Sequence, residues 1–109
     1  MPPLECAIAA VTLAQFAVFI NRAQQREEAE AARCRNEVTR LLAPRILETR
    51  AYHWEERRAL ALRENQDARV IDQLAGLAQA KATRLAYYAR EIGRVSQSYE
   101  NLSKVSRRD

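Results

Sequence analysis

A chain of 109 residues limits the protein to one domain or one extended element. Two glycines and three prolines are too few for a fold with many tight turns, and the abundant Ala, Leu, Glu, Gln and Arg all favour helix. The net charge of +4 comes from 18 basic and 14 acidic residues, interspersed from Arg22 onward as on a solvated helical face rather than a nucleic-acid stripe. The hydrophobic share is 48%, but alanine supplies much of it and buries little area. Seven aromatics (Phe16, Phe19, Tyr52, Trp54, Tyr87, Tyr88 and Tyr99) make a thin core for a lone monomer, so burial against other copies or partners is expected. The predicted class is all-α: long helices with a coiled-coil or helical-bundle seam.

The first element is an apolar helix over residues 1–20. Residues 7–20 carry no charge, and Ala7, Ile8, Val11, Leu13, Phe16, Val18, Phe19 and Ile20 are its candidate packing or membrane-active side chains. As helix, 7–20 spans about 21 Å and 1–20 about 30 Å. A bilayer core needs roughly 20 residues, so the segment is at the margin of spanning. A secretory signal would place basic residues before the apolar run, whereas Arg22 and Arg26 follow it. If inserted, that asymmetry leaves the rest of the chain on the cytoplasmic side. Thr12 and Gln15 suit an oligomeric interface better than lipid.

The second element is a polar helix over 21–43, with Asn21 as a cap or break and Cys34, Val38 and Leu41 as a thin apolar stripe. Pro44 lacks a backbone donor, so a kink or a break is expected there. The third element is one long helix over 44–109. Leu47, Ala51 and Trp54 resume the four–three spacing, and Trp54 reads as an anchor against a neighbouring helix. Ile71, Leu74, Ala78, Lys81, Leu85, Tyr88, Ile92, Val95, Tyr99 and Leu102 then recur at alternating steps of three and four. This predicts an oligomer seam over 71–102, apolar but for Lys81. Gly76 and Gly93 weaken the helix, with Gly93 marking a bend or a close backbone approach, and the serines beyond 95 predict an irregular end.

No chemistry-bearing constellation emerges. Cys6 and Cys34 stand apart, without a CxxC or a Cys/His cluster, and read as small buried groups of a cytosolic protein. His53 with Glu56 shares a helix face, but one such pair without further carboxylates is no metal site. There is no phosphate loop and no nucleophile with a base, so no catalysis, cofactor or metal is expected. Lys104, Arg107 and Arg108 form a small basic end, able at most to make weak or indirect DNA contact.

In organisation the chain resembles the small internal virion proteins of short-tailed, T7-like phages. The resemblance rests on Cys6 preceding the alanine-rich run to Ile20, and on the stalk segment Glu55-Glu56-Arg57-Arg58-Ala59 with Asn65. It rests also on Ala80-Lys81-Ala82-Thr83 leading to Glu91-Ile92-Gly93, Ser98, Glu100 and Leu102. The chain departs from that pattern at Tyr87-Tyr88, where small residues are usual, and in ending soon after Leu102. The resemblance implies a homo-oligomer stored in the virion interior with portal or core proteins. Such a protein is ejected ahead of the genome to help form a conduit for DNA across the host envelope, with conditional membrane insertion. Two other classes compete with it. One is a single-span membrane-anchored coiled-coil assembly protein; the other is a helical nucleic-acid-binding module.

Overall fold

A computed structural model describes residues 2–48 and 53–108, with side chains through Val105. Its elements are α1 (Pro3–Glu48), α2 (Trp54–Glu64) and α3 (Gln66–Arg108), and the described residues contain no strand. The all-α expectation holds, but the boundaries move.

Helix α1 runs without interruption through both Asn21 and Pro44, so the divisions expected at 20/21 and 43/44 are absent. Pro44 and Arg40 are both exposed, so the helical bond that proline removes is missing from an exposed face of α1, where its loss costs least. Nor is 44–109 one helix. His53, in an extended conformation, precedes α2, and Asn65, also extended, separates α2 from α3. Asn65 caps the next helix: its Oδ1 accepts from the Ala68 N–H at 3.0 Å, satisfying a donor that the first turn leaves open. Ala51, expected to share a stripe with Leu47 and Trp54, lies outside the described residues. At its far end α3 stays helical to Arg108, supported by a Lys104–Glu100 ion pair at 3.2 Å and by Ser98 donating to the Arg94 carbonyl at 3.1 Å. It also passes through Gly76 and Gly93 without positive φ, and an added Cβ at either would meet nothing within 4 Å. Gly93 therefore marks no close approach within the chain.

The chain forms two compact units. One comprises Glu27–Ala80 and holds the apolar core: Val38, Leu42, Ile46, Ala61 and Ala68, edged by Leu41, Leu62 and Ile71. The stripe read at Cys34, Val38 and Leu41 faces inward here. Charged side chains bridge its helices at the rim, Arg45 to Glu64 at 2.7 Å and Arg58 to Asp72 at 3.3 Å, and Arg35 donates to Gln79 at 3.0 Å.

The other unit joins the chain up to Arg26 with Lys81 onward. From α1 it buries Cys6, Ala10, Ala17 and Ile20, with Leu13 half-buried. From α3 it buries Ala82, Ala89, Ser96 and Ser103, with Leu85, Ile92 and Tyr99 half-buried. Ser96 Oγ donates to the Ala10 carbonyl at 2.6 Å. A serine reaches only one carbon beyond its backbone, so the two helices approach there to within one short side chain.

Candidate functional site

Helix α3 carries a strict seven-residue recurrence of small buried residues: Ala68, Ala75, Ala82, Ala89, Ser96 and Ser103. Between them lie Ile71, Ala78, Leu85, Ile92 and Tyr99, all buried or half-buried. The inward stripe is therefore half of the expected seam plus this small-residue row. The other half of the expected seam (Leu74, Lys81, Tyr88, Val95 and Leu102) is exposed in the single chain. Ranking positions by hydrophobicity selected the larger residue at each alternate step. Close approach of two helices selects the smaller one, because interaxial distance is set by the side chains at the contact.

The exposed half makes a second apolar stripe on the same helix, about 80° around the axis from the centre of the first at 100° per residue. In the unit containing the end of α3 it presents Tyr88, Val95 and Leu102, with Tyr87 and Tyr88 in edge-to-face contact at 5.8 Å. In the unit containing the start of α3 it presents Leu74, beside exposed Val70 and Leu77. Trp54, the first residue of α2, is 59% exposed, so among the described residues it is not a core anchor.

The start of α1 carries the larger apolar surface. Of the eight residues singled out there, Ile20 is buried and Ala7 and Leu13 are half-buried in the contact with α3. Ile8, Val11, Phe16, Val18 and Phe19 are between 50% and 61% exposed, and the Phe16 and Phe19 rings stack at 6.3 Å. The cause is visible in the sequence. A seam needs one stripe, and Cys6, Ala10, Leu13, Ala17 and Ile20 supply it, yet Cys6 through Asn21 is uncharged on every side. An 18-residue window of α1 reaches a mean hydropathy of 1.8, and only 22% of it is buried. Length and composition admit a membrane crossing, although a core helix or a signal sequence near the N-terminus meets the same criteria.

Part of the charged surface is internally matched. Arg33 pairs with Glu30, Arg40 with Glu37 and Arg94 with Glu91, each three residues apart on one helix face. The guanidinium hydrogen bonds of Arg33 and Arg40 hold Glu30 and Glu37 below the usual carboxylate range. Among the described residues, no three His, Cys, Asp or Glu side chains come together in a group fit for a metal ion. His53 is exposed, immediately before α2. Cys6 and Cys34 are both buried and outside any disulfide.

The row of small residues from Ala68 to Ser103, and Ser96 within it, escaped the sequence reading, although the seven-residue recurrence was there to find. No protein family, curated protein or solved structure matches the chain.

Proposed function

We propose that the chain is a structural, non-catalytic protein that works by giving its apolar α1 surface to an assembly. In this reading it is an internal virion protein that gathers as a homo-oligomer with portal or core proteins. It leaves the capsid ahead of the genome and helps form a conduit for phage DNA across the host envelope. One observation carries the reading: Ile8, Val11, Phe16, Val18 and Phe19 remain at least half exposed after the contact with α3 is filled. Clustered apolar side chains left in water mark contact with protein or membrane. A helix apolar on all sides fits hydrocarbon as well as protein, and its marginal length suits conditional rather than permanent insertion. DNA contact is weak or indirect, since Arg33, Arg40 and Arg94 have carboxylate partners and the charges of both signs are interspersed.

A single-span membrane anchor is the second reading, favoured by the 1.8 mean hydropathy of the α1 window. Mass spectrometry of purified virions before and after genome release separates the two. The expected result is a protein present in filled particles and lost from emptied ones. Its absence from virions, or its retention in emptied particles, refutes ejection, and constitutive fractionation with host membranes supports the anchor. Steep loss of DNA affinity with salt would instead support a nucleic-acid-binding module.

A further inference from the structure

In the unit formed by the chain up to Arg26 and from Lys81 onward, one face of the α1–α3 pair is complementary to itself. We infer that two copies dock through that face as a two-fold dimer. In it α1 lies antiparallel to α1 of the second copy, and Glu5 pairs with Arg26 of the other copy at each end. The inference gives the homo-oligomer of the proposed function a geometry and rests on that part of it.

Two rows on α1 define the face. Ala9, Phe16 and Ala23 each stand one residue before the buried or half-buried positions Ala10, Ala17 and Gln24, and run small, large, small. Glu5, Thr12, Phe19 and Arg26 stand in the same way before Cys6, Leu13, Ile20 and Glu27, and all four are exposed. The seven-residue spacing keeps both rows on one side of the helix. Among the described residues neither Glu5 nor Arg26 has an ion-pair partner. Between them the only charge is Arg22, which lies in neither row.

Turning this face end over end exchanges its ends. A two-fold axis crossing α1 at Phe16 sets Phe16 on its own copy, Thr12 against the larger Phe19, and Glu5 against Arg26. A parallel arrangement would set Glu5 on Glu5 and Arg26 on Arg26, so charge selects the antiparallel one.

Helix α3 leads to the same axis independently. Arg26 and Lys81 both border the other unit, so the two stretches run in opposite directions. Ser96 is level with Ala10, which puts Phe16 level with about residue 90 at the same rise on both helices. Tyr88, Val95 and Leu102, 45% to 54% exposed, stand one residue before the buried Ala89, Ser96 and Ser103. They lie on the side where Glu5, Ala9 and Thr12 share a groove with Tyr99, whereas Glu100 and Lys104 line the groove on the opposite side. The axis sets Tyr88 against Val95 of the second copy. Glu91, the charge nearest the axis, already pairs with Arg94 at 3.3 Å.

From Glu5 to Arg26 the face is about 32 Å long, and two helices make it about 19 Å wide, on the order of 600 Å² per copy. Two copies then bury about 1,200 Å², where specific interfaces begin. A bilayer would accept any order of uncharged residues. The matching of opposite ends, and of large against small, serves only a second helix.

Sedimentation equilibrium of the full chain at low salt is expected to show reversible dimerisation. Glu5→Arg and Arg26→Glu should each raise the dissociation constant about tenfold, since both end contacts turn from attractive to repulsive. An equimolar mixture of the two variants should recover the original affinity, because each end again joins opposite charges. Assemblies that the single reversals leave unchanged, or a mixture that stays weak, overturn this geometry while the homo-oligomer stands. A chain that remains monomeric at every concentration overturns both. A blue shift of that monomer on phosphatidylcholine–phosphatidylglycerol vesicles, read from Phe19→Trp in a Trp54→Phe background, would then assign the face to lipid and overturn the second copy as its occupant.

Discussion

Leucine-to-alanine substitution at positions 42 and 74 applies one chemical change to two environments. Leu42 is 1% exposed in the core with Val38, Ile46 and Ala61, whereas Leu74 is 51% exposed on the outer stripe of α3. Truncating a buried leucine costs about 2–5 kcal/mol, depending on how far the surroundings collapse into the space. Leu42 borders an open groove also lined by Leu41 and Ala61, and half-buried Leu41 and Leu62 pack against the same core. Collapse is therefore easy, and Leu42→Ala belongs at the low end, about 2–3 kcal/mol. For a chain of this size each kcal/mol moves Tm by about 4–5 °C, giving a fall of about 10 °C. Leu74→Ala should stay within about 0.5 kcal/mol. Thermal melts followed by far-UV circular dichroism over a range of dilutions measure both. Equal falls that do not change with dilution would refute the assignment of the inward stripe. A loss at Leu74 that appears only at high concentration would instead place the outer stripe between copies.

Gly76→Ala and Gly93→Ala should each stabilise α3 by about 1 kcal/mol, because both glycines are helical and an added Cβ meets nothing; a lowered Tm at either would reveal a neighbour outside the chain. Glu30 and Glu37 have folded-state pKa values depressed by Arg33 and Arg40, so their contribution is present above the unfolded carboxylate pKa and is lost as pH falls through the folded one. Acid titration of helicity should therefore show a decline beginning in the usual carboxylate range and continuing below it. Glu30→Gln with Glu37→Gln should flatten that decline, and an unchanged profile would show that the pairs contribute nothing.

The helical class, the seven-residue periodicity and the apolar character of 7–20 were legible because each is a property of many residues at once. Cys34, Val38 and Leu41 were read inward and lie inward. What the sequence left open was which of two stripes, sharing Ile71, Ala78, Leu85, Ile92 and Tyr99, packs within the chain. The sequence offers a bulky residue at 74, 88, 95 and 102 and a small one at 75, 89, 96 and 103, and hydrophobicity alone prefers the bulky set. Only the close approach of a second helix reverses that preference, and that information is tertiary. At Pro44 the boundary expected at 43/44 does not form, for a similar reason. Its penalty depends on which way its face looks, and an exposed face near the end of α1 tolerates it. Asn65 was the local signal that went unused, a strong capping residue at a true helix start.

The Ser96–Ala10 contact carries a consequence for how the chain tolerates change. Where two backbones stand one short side chain apart, mutation is one-sided. Shrinking a residue removes a hydroxyl or a methyl that water or a small adjustment replaces. Enlarging it drives a wedge between two helices, and the displacement spreads to the turns above and below. Natural variants should therefore drift freely among alanine, serine and glycine at 96. Drift toward leucine or phenylalanine, which ordinary cores accept, should be closed to them.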